Sequence, residues 1–149
     1  MKILKWYEYC DDIQLLIKKI ENLNLNINKI YAIPRGGLIP ATIISHYFDD
    51  IPIVTKIEDF DFDTYNKILV IDDLCHTGYT MKNLIKVKMD NVFTAALYVK
   101  RKSSFIPDLY IEGDIPEDEW ILFPYDNEIK SEDELTEDHY NKVNSLKNG

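Results

Sequence analysis

Four consecutive apolar residues, Ile68-Leu69-Val70-Ile71, run straight into Asp72 and Asp73 and then into Leu74-Cys75-His76-Thr77-Gly78-Tyr79-Thr80. An apolar run of this length bounded by turn residues reads as a buried strand. Two adjacent carboxylates do not belong in that core, so they must stand at the strand's carboxyl end. The Gly-containing turn and a helix expected from about Thr80 to Met89 complete a strand, loop and helix unit.

The same unit occurs earlier in the chain. Lys29 to Ile33 reads as a strand, Pro34, Gly36 and Gly37 break it, and Ile39 to Phe48 has helical character. Asp11 and Asp12 are plausible caps of a first helix carrying Ile13, Leu16, Ile17 and Ile20, which Asn22, Asn24, Asn26 and Asn28 bring to an end. Further strands are expected at Ile51 to Lys56, Asn91 to Val99 and Leu109 to Glu112. Strands alternating with helices predict an α/β fold with an open, mainly parallel sheet, whose ligands collect beyond the carboxyl ends of its strands.

A chain of 149 residues, 46% hydrophobic, is the size of one domain with one substantial core. No stretch approaches the roughly 18 apolar residues of a membrane span, and MKILKWYEYCDD turns acidic before a signal-peptide core forms. A cytoplasmic protein is expected. Cys10 and Cys75 stand alone, and His46, His76 and His139 are too scattered to join them in a zinc site. A net charge of −9 makes nucleic acid a poor partner but leaves room for a small anion gathered by metal and local cations.

Around Asp72 and Asp73 the residues offer complementary tools. Loop amides with the Thr77 and Thr80 hydroxyls suit a phosphate monoester, while the carboxylates suit ribose hydroxyls and magnesium. This stretch resembles the phosphoribosyl pyrophosphate (PRPP) motif of type I phosphoribosyltransferases, in which four apolar residues precede two acids and a Thr-Gly-x-Thr loop. Ile33-Pro34-Arg35-Gly36-Gly37-Leu38-Ile39-Pro40 resembles that family's pyrophosphate loop. Asp114-Ile115-Pro116-Glu117-Asp118-Glu119-Trp120-Ile121-Leu122-Phe123-Pro124-Tyr125-Asp126 is similar to the base-binding segment of the bacterial xanthine-guanine enzymes.

The resemblance covers about residues 1–126 and implies, within the single domain expected over 1–149, a core with the PRPP site over 1–112 and a small base-binding hood over 113–126; the acidic segment over 127–149 has no counterpart in it, and its interspersed Leu135, Tyr140, Val143 and Leu146 read as a helix. The resemblance also implies transfer of ribose 5-phosphate from PRPP to a 6-oxopurine, dependent on Mg2+, in a dimer or tetramer. Arg35, Gly36 and Gly37 would hold pyrophosphate, and the loop of Cys75, His76, Thr77, Gly78, Tyr79 and Thr80 the 5-phosphate. Asp72 and Asp73 would act on the ribose, with metal at Asp73 and Asp126. Trp120 would stack on the purine, its alternative being a core tryptophan; Lys100 would donate to the 6-oxygen, its alternative being a solvated lysine; and the Ile121 backbone would meet the 2-position.

Three departures from the family pattern stand out. His76 replaces the usual aspartate that takes the purine proton; either its imidazole does that work or it serves only through its backbone amide. The Lys56 to Tyr65 segment, with Asp59, Asp61 and Asp63, is shorter than the family's mobile loop, and Tyr79 occupies a position that is often glycine. A same-fold transferase for another base, or a PRPP-binding regulator, are the competing readings. Tyr7, Tyr9, Tyr47, Phe60 and Phe62 are expected to be exposed and to supply subunit contacts.

Overall fold

A computed structural model describes residues 1–56, 59, 66–85, 90–126 and 145. Its elements in chain order are β1 (Lys2–Ile3), α1 (Trp6–Asn22), β2 (Lys29–Ala32), α2 (Leu38–Tyr47), β3 (Ile53–Val54), β4 (Ile68–Cys75), α3 (Tyr79–Leu84), β5 (Val92–Lys100), β6 (Glu112–Ile115) and β7 (Ile121–Leu122). Among the described residues, five strands form one sheet in the order β3-β2-β4-β5-β6, with every pair parallel. β1 and β7 make a separate parallel pair.

The apolar run ahead of the acid pair lies at the middle of this sheet, where successive side chains point to opposite faces. Leu69 and Ile71 join Ala95, Leu97 and the helix residues Ile13, Leu16, Ala41 and Ile44 on one side. Ile68 and Val70 join Ala96, Val99 and Met81 of α3 on the other. Both faces are covered, which is why the run needs no polar alternation. Each fully buried side chain of this kind stabilises the fold by roughly 1.5–3 kcal/mol before entropy is counted.

Several expected boundaries move. α1 begins at Trp6 rather than after Asp11 and Asp12, because Tyr9 extends the buried stripe and the Glu8 carboxylate accepts the Lys5 N–H at 2.9 Å. Asp12 instead accepts the Tyr98 hydroxyl. β4 continues past Asp73, since Leu74 and Cys75 still pair with Tyr98 and Val99. The strand expected over Leu109 to Glu112 is regular only from Glu112; Leu109 makes an isolated bridge to Ala95, and the Asp108 carboxylate takes the Thr94 amide at 3.0 Å. Tyr9, expected at the surface, is fully buried among Trp6, Phe123 and Tyr125. Tyr7 and Tyr47 are exposed as expected. Phe60 and Phe62, most of the 56–65 segment, the end of the expected helix to Met89, and 127–149 except Ser145 lie outside the described residues.

Candidate active site

β2 and β4 are adjacent and parallel, so their carboxyl ends, with the turn leaving β2, open on one edge of the sheet. Pro34, Arg35, Gly36, Leu38, Ile39, Asp72, Asp73, Tyr125 and Asp126 line a cleft of roughly 610 Å3 there. Residues far apart in sequence thus converge at the place a parallel sheet offers for ligands.

Asp73 is the hub of this cleft. Its Oδ1 accepts the Leu74 N–H at 2.6 Å, and its Oδ2 accepts the Tyr125 hydroxyl. Asp72 Oδ1 accepts the Asp73 N–H at 2.8 Å. Burial first, then the neighbouring Asp73 charge, push the Asp72 carboxyl well above the usual carboxylate range. Two acids on one strand end therefore differ in character: Asp72 tends to keep its proton, while Asp73 is held by fixed donors.

The Arg35-Gly36-Gly37 turn packs directly on this pair. A Cβ on Gly36 would lie 2.3 Å from the Asp73 carboxylate, and one on Gly37 would lie 2.3 Å from the Ile71 carbonyl oxygen. Only glycine permits so close a backbone approach. The Pro34–Arg35 peptide is cis, and the Arg35 side chain is exposed at the rim.

Beyond β4, His76, Thr77, Tyr79 and Thr80 are exposed, whereas Gly78 is buried with φ +80°. A side chain at Gly78 would come within 2.6 Å of the Phe105 amide nitrogen and 2.7 Å of Ser103 Oγ. The Thr77 carbonyl accepts the Ser104 N–H at 2.8 Å and the Ser104 hydroxyl at 2.7 Å. The Thr77 hydroxyl oxygen accepts the Tyr79 N–H at 3.3 Å within the turn, and the Thr80 side chain is exposed beside it. Cys75 is different, since its buried thiol lies 3.2 Å from Ser103 Oγ and donates to the Phe105 carbonyl at 3.4 Å. Burial raises its pKa, so its side chain is structural and only its backbone remains for the turn.

Three links tie the 113–126 segment to the ends of β4 and β5 and to the turn after β4. Lys100 is almost fully buried and its ammonium donates to the Pro116 carbonyl at 3.0 Å and to the Glu119 carbonyl, which removes the solvated reading of this lysine. His76 Nε2 stands 3.4 Å from Glu117 Oε2, and Tyr125 reaches Asp73. Trp120 is 66% exposed and is no core residue, nor does it line the cleft described above. Ile121 is buried in β7, where the Lys2 and Leu4 N–H groups donate to the carbonyls of Trp120 and Leu122 on either side of it. Asp126 lies at the cleft rim, where its Oδ2 accepts the Phe123 N–H at 3.3 Å. The partnerships of Glu117 and Tyr125 carry no sequence signal, because both form between segments distant in the chain.

No group of three or more metal-ligating side chains occurs among the described residues. Asp72, Asp73 and Asp126 instead present separate carboxylates to one cleft. That sparse donor set fits magnesium, which takes one or two carboxylates and fills its octahedron with water and substrate phosphates.

No family model matches the chain. The xanthine-guanine phosphoribosyltransferases of two Nitratidesulfovibrio vulgaris strains are 30% identical to it over 120 residues, which is 68% of this chain and 70% of theirs. A purine phosphoribosyltransferase from Pyrococcus horikoshii superposes with a TM-score of 0.69 at 26% identity, covering 87% of this chain and 95% of its own. The xanthine-guanine-hypoxanthine phosphoribosyltransferase of Helicobacter pylori shares the fold, with a TM-score of 0.69 at 17% identity over 99% of both chains.

Proposed function

Because this chain belongs to the xanthine-guanine phosphoribosyltransferase family, we propose that it transfers ribose 5-phosphate from PRPP to a 6-oxopurine, guanine, xanthine or hypoxanthine, in purine salvage. The observation that carries this reading is the packing of Gly36 on the Asp73 carboxylate at the end of β4. It brings a turn suited to pyrophosphate and a carboxylate suited to ribose into one cleft.

In this reading a ring nitrogen of the purine attacks the anomeric carbon of PRPP, the bond from that carbon to pyrophosphate breaks, and the purine releases a proton. Positive charge builds on the ribose and negative charge on the leaving group, so the protein's task is positioning and electrostatics. Asp72 and Asp73 take the ribose side. Arg35 and the Gly36-Gly37 amides take pyrophosphate, while the His76 to Thr80 turn takes the 5-phosphate through its amides and the Thr77 and Thr80 hydroxyls.

Trp120 offers its exposed face to the purine ring. Lys100, held by the carbonyls of Pro116 and Glu119, donates to the purine 6-oxygen, and the Ile121 peptide meets the 2-position. His76 accepts the proton. Asp73 and Asp126 would hold Mg2+, which would supply positive charge against the departing pyrophosphate. The exposed Tyr7 and Tyr47 fit a homo-oligomer, and the activity belongs in the cytoplasm.

The test is a spectrophotometric assay with PRPP, Mg2+ and each 6-oxopurine. Turnover in the wild type that falls at least 100-fold in Asp73→Asn supports the reading. PRPP binding without turnover on any base would replace it with a non-catalytic PRPP-binding role.

A further inference from the structure

We propose that Glu117 is the positioning residue of His76, holding its imidazole in the one tautomer that accepts a proton from the purine. The inference rests on the transferase reading above and adds a residue to it.

His76 is exposed on the turn after β4, and an imidazole there has free rotation about two side-chain bonds unless something holds it. Glu117 stands opposite, in the hood between β6 and β7. Its Oε2 lies 3.4 Å from His76 Nε2, and its Oε1 accepts the Lys102 N–H at 2.9 Å. The backbone just before it is pinned as well, because the Pro116 carbonyl receives the buried Lys100 ammonium at 3.0 Å. The carboxylate is therefore anchored from two sides before it meets the ring. The Lys102 amide, the largest cause, holds the Glu117 carboxyl below the usual carboxylate range.

A neutral imidazole carries one N–H and one lone pair. A carboxylate facing Nε2 keeps the proton on that nitrogen and leaves the lone pair on Nδ1. Nδ1 is then the acceptor for the purine proton, and the negative charge of Glu117 stabilises the imidazolium that results. An aspartate at position 76 would need no such partner, because both its oxygens accept.

Two measurements separate this role from a structural one. The first is the nitrogen NMR spectrum of the His76 ring at about pH 9, well above the reference pKa of histidine. The expected result is the Nε2–H tautomer in the wild type and a mixture in Glu117→Ala. It is read on the protein whether or not it turns over, and an unchanged tautomer in Glu117→Ala overturns the proposal. The second is a double-mutant cycle on kcat. Glu117→Ala is expected to lower kcat about 10-fold with the KM for PRPP within twofold, Glu117→Gln to recover part of the loss through its amide oxygen, and Glu117→Ala to cost less than twofold further in a His76→Ala background. Equal losses in both backgrounds contradict the proposal and leave the transferase reading standing. A wild type that turns over no 6-oxopurine sinks the transferase reading, and the role of Glu117 with it.

Discussion

The Tyr125 hydroxyl donates a hydrogen bond to Asp73 across 52 residues of chain. This contact joins the hood to the strand end that carries the acid pair. Burial first, then the hydrogen bond to Asp73 and after it the Asp73 charge, push the Tyr125 phenol far above its ordinary pKa, so it remains a donor throughout the working pH range. Its ring stacks on Phe123 with centroids 5.3 Å apart and an interplanar angle of 9°.

Tyr125→Phe keeps that stacking and removes only the donor. It should lower stability by about 1–2 kcal/mol, the worth of a partly buried hydrogen bond to a charged acceptor. Urea unfolding measures this, and an unchanged midpoint would show that the contact adds nothing to the fold.

Gly36 and Gly37 are neighbours with opposite expected failures. A methyl on Gly36 meets the end of the Asp73 side chain, which can swing aside by giving up its Tyr125 contact, so Gly36→Ala should cost more than 10-fold in kcat/KM and no more stability than Tyr125→Phe. A methyl on Gly37 meets the Ile71 and Ile33 backbone carbonyl oxygens, which cannot move without the sheet, so Gly37→Ala should lower stability by roughly 2 kcal/mol or more. Paired thermal unfolding and assay data decide the matter, and the reverse pattern would contradict the packing described.

Asp72 gives the fold a pH dependence of definite sign. Its carboxyl pKa is raised in the folded state, so the folded protein keeps a proton that the unfolded chain loses as pH climbs out of the ordinary carboxylate range near 4. The stability associated with the neutral acid is full below that range and is lost as pH rises toward and past neutrality. Asp72→Asn stays neutral and retains an oxygen for the Asp73 N–H, so its stability gain over wild type should widen from pH 5 to pH 8. Denaturant midpoints for both proteins at the two pH values are the check; a constant gap would refute the shift.

Trp120 is exposed, so its removal should leave stability within about 0.5 kcal/mol of the wild type. Loss of a stacking face worth roughly 1–3 kcal/mol should raise the KM for the purine between about 5-fold and 150-fold. A large stability loss with unchanged KM would make it a structural residue after all.

The central sheet was readable because its signals are local. Ile68 to Ile71 needed only an uninterrupted apolar run, and the turns after β2 and β4 needed only their glycines. Boundaries that depend on partners were not readable. Asp12 looks like a helix cap in sequence, yet it sits inside α1 because Tyr98 supplies its hydrogen bond and Tyr9 extends the buried stripe. Leu109 has strand character, but the Asp108 side chain takes the edge amide that a regular strand would use. Lys100 at a strand end gives no hint that the Pro116 and Glu119 carbonyls bury its charge. At the site, residue types and their order were legible, whereas the pairings of His76 with Glu117 and Asp73 with Tyr125, distant in sequence, depend on tertiary contact.

The most direct test is a calorimetric titration of the wild type and Asp73→Asn with PRPP in the presence of Mg2+. The wild type should bind one PRPP per chain with an affinity that falls when Mg2+ is withheld, and Asp73→Asn should bind at least 10-fold more weakly. Equal binding by both proteins, or none by the wild type, would contradict an activated-sugar site at the end of β4.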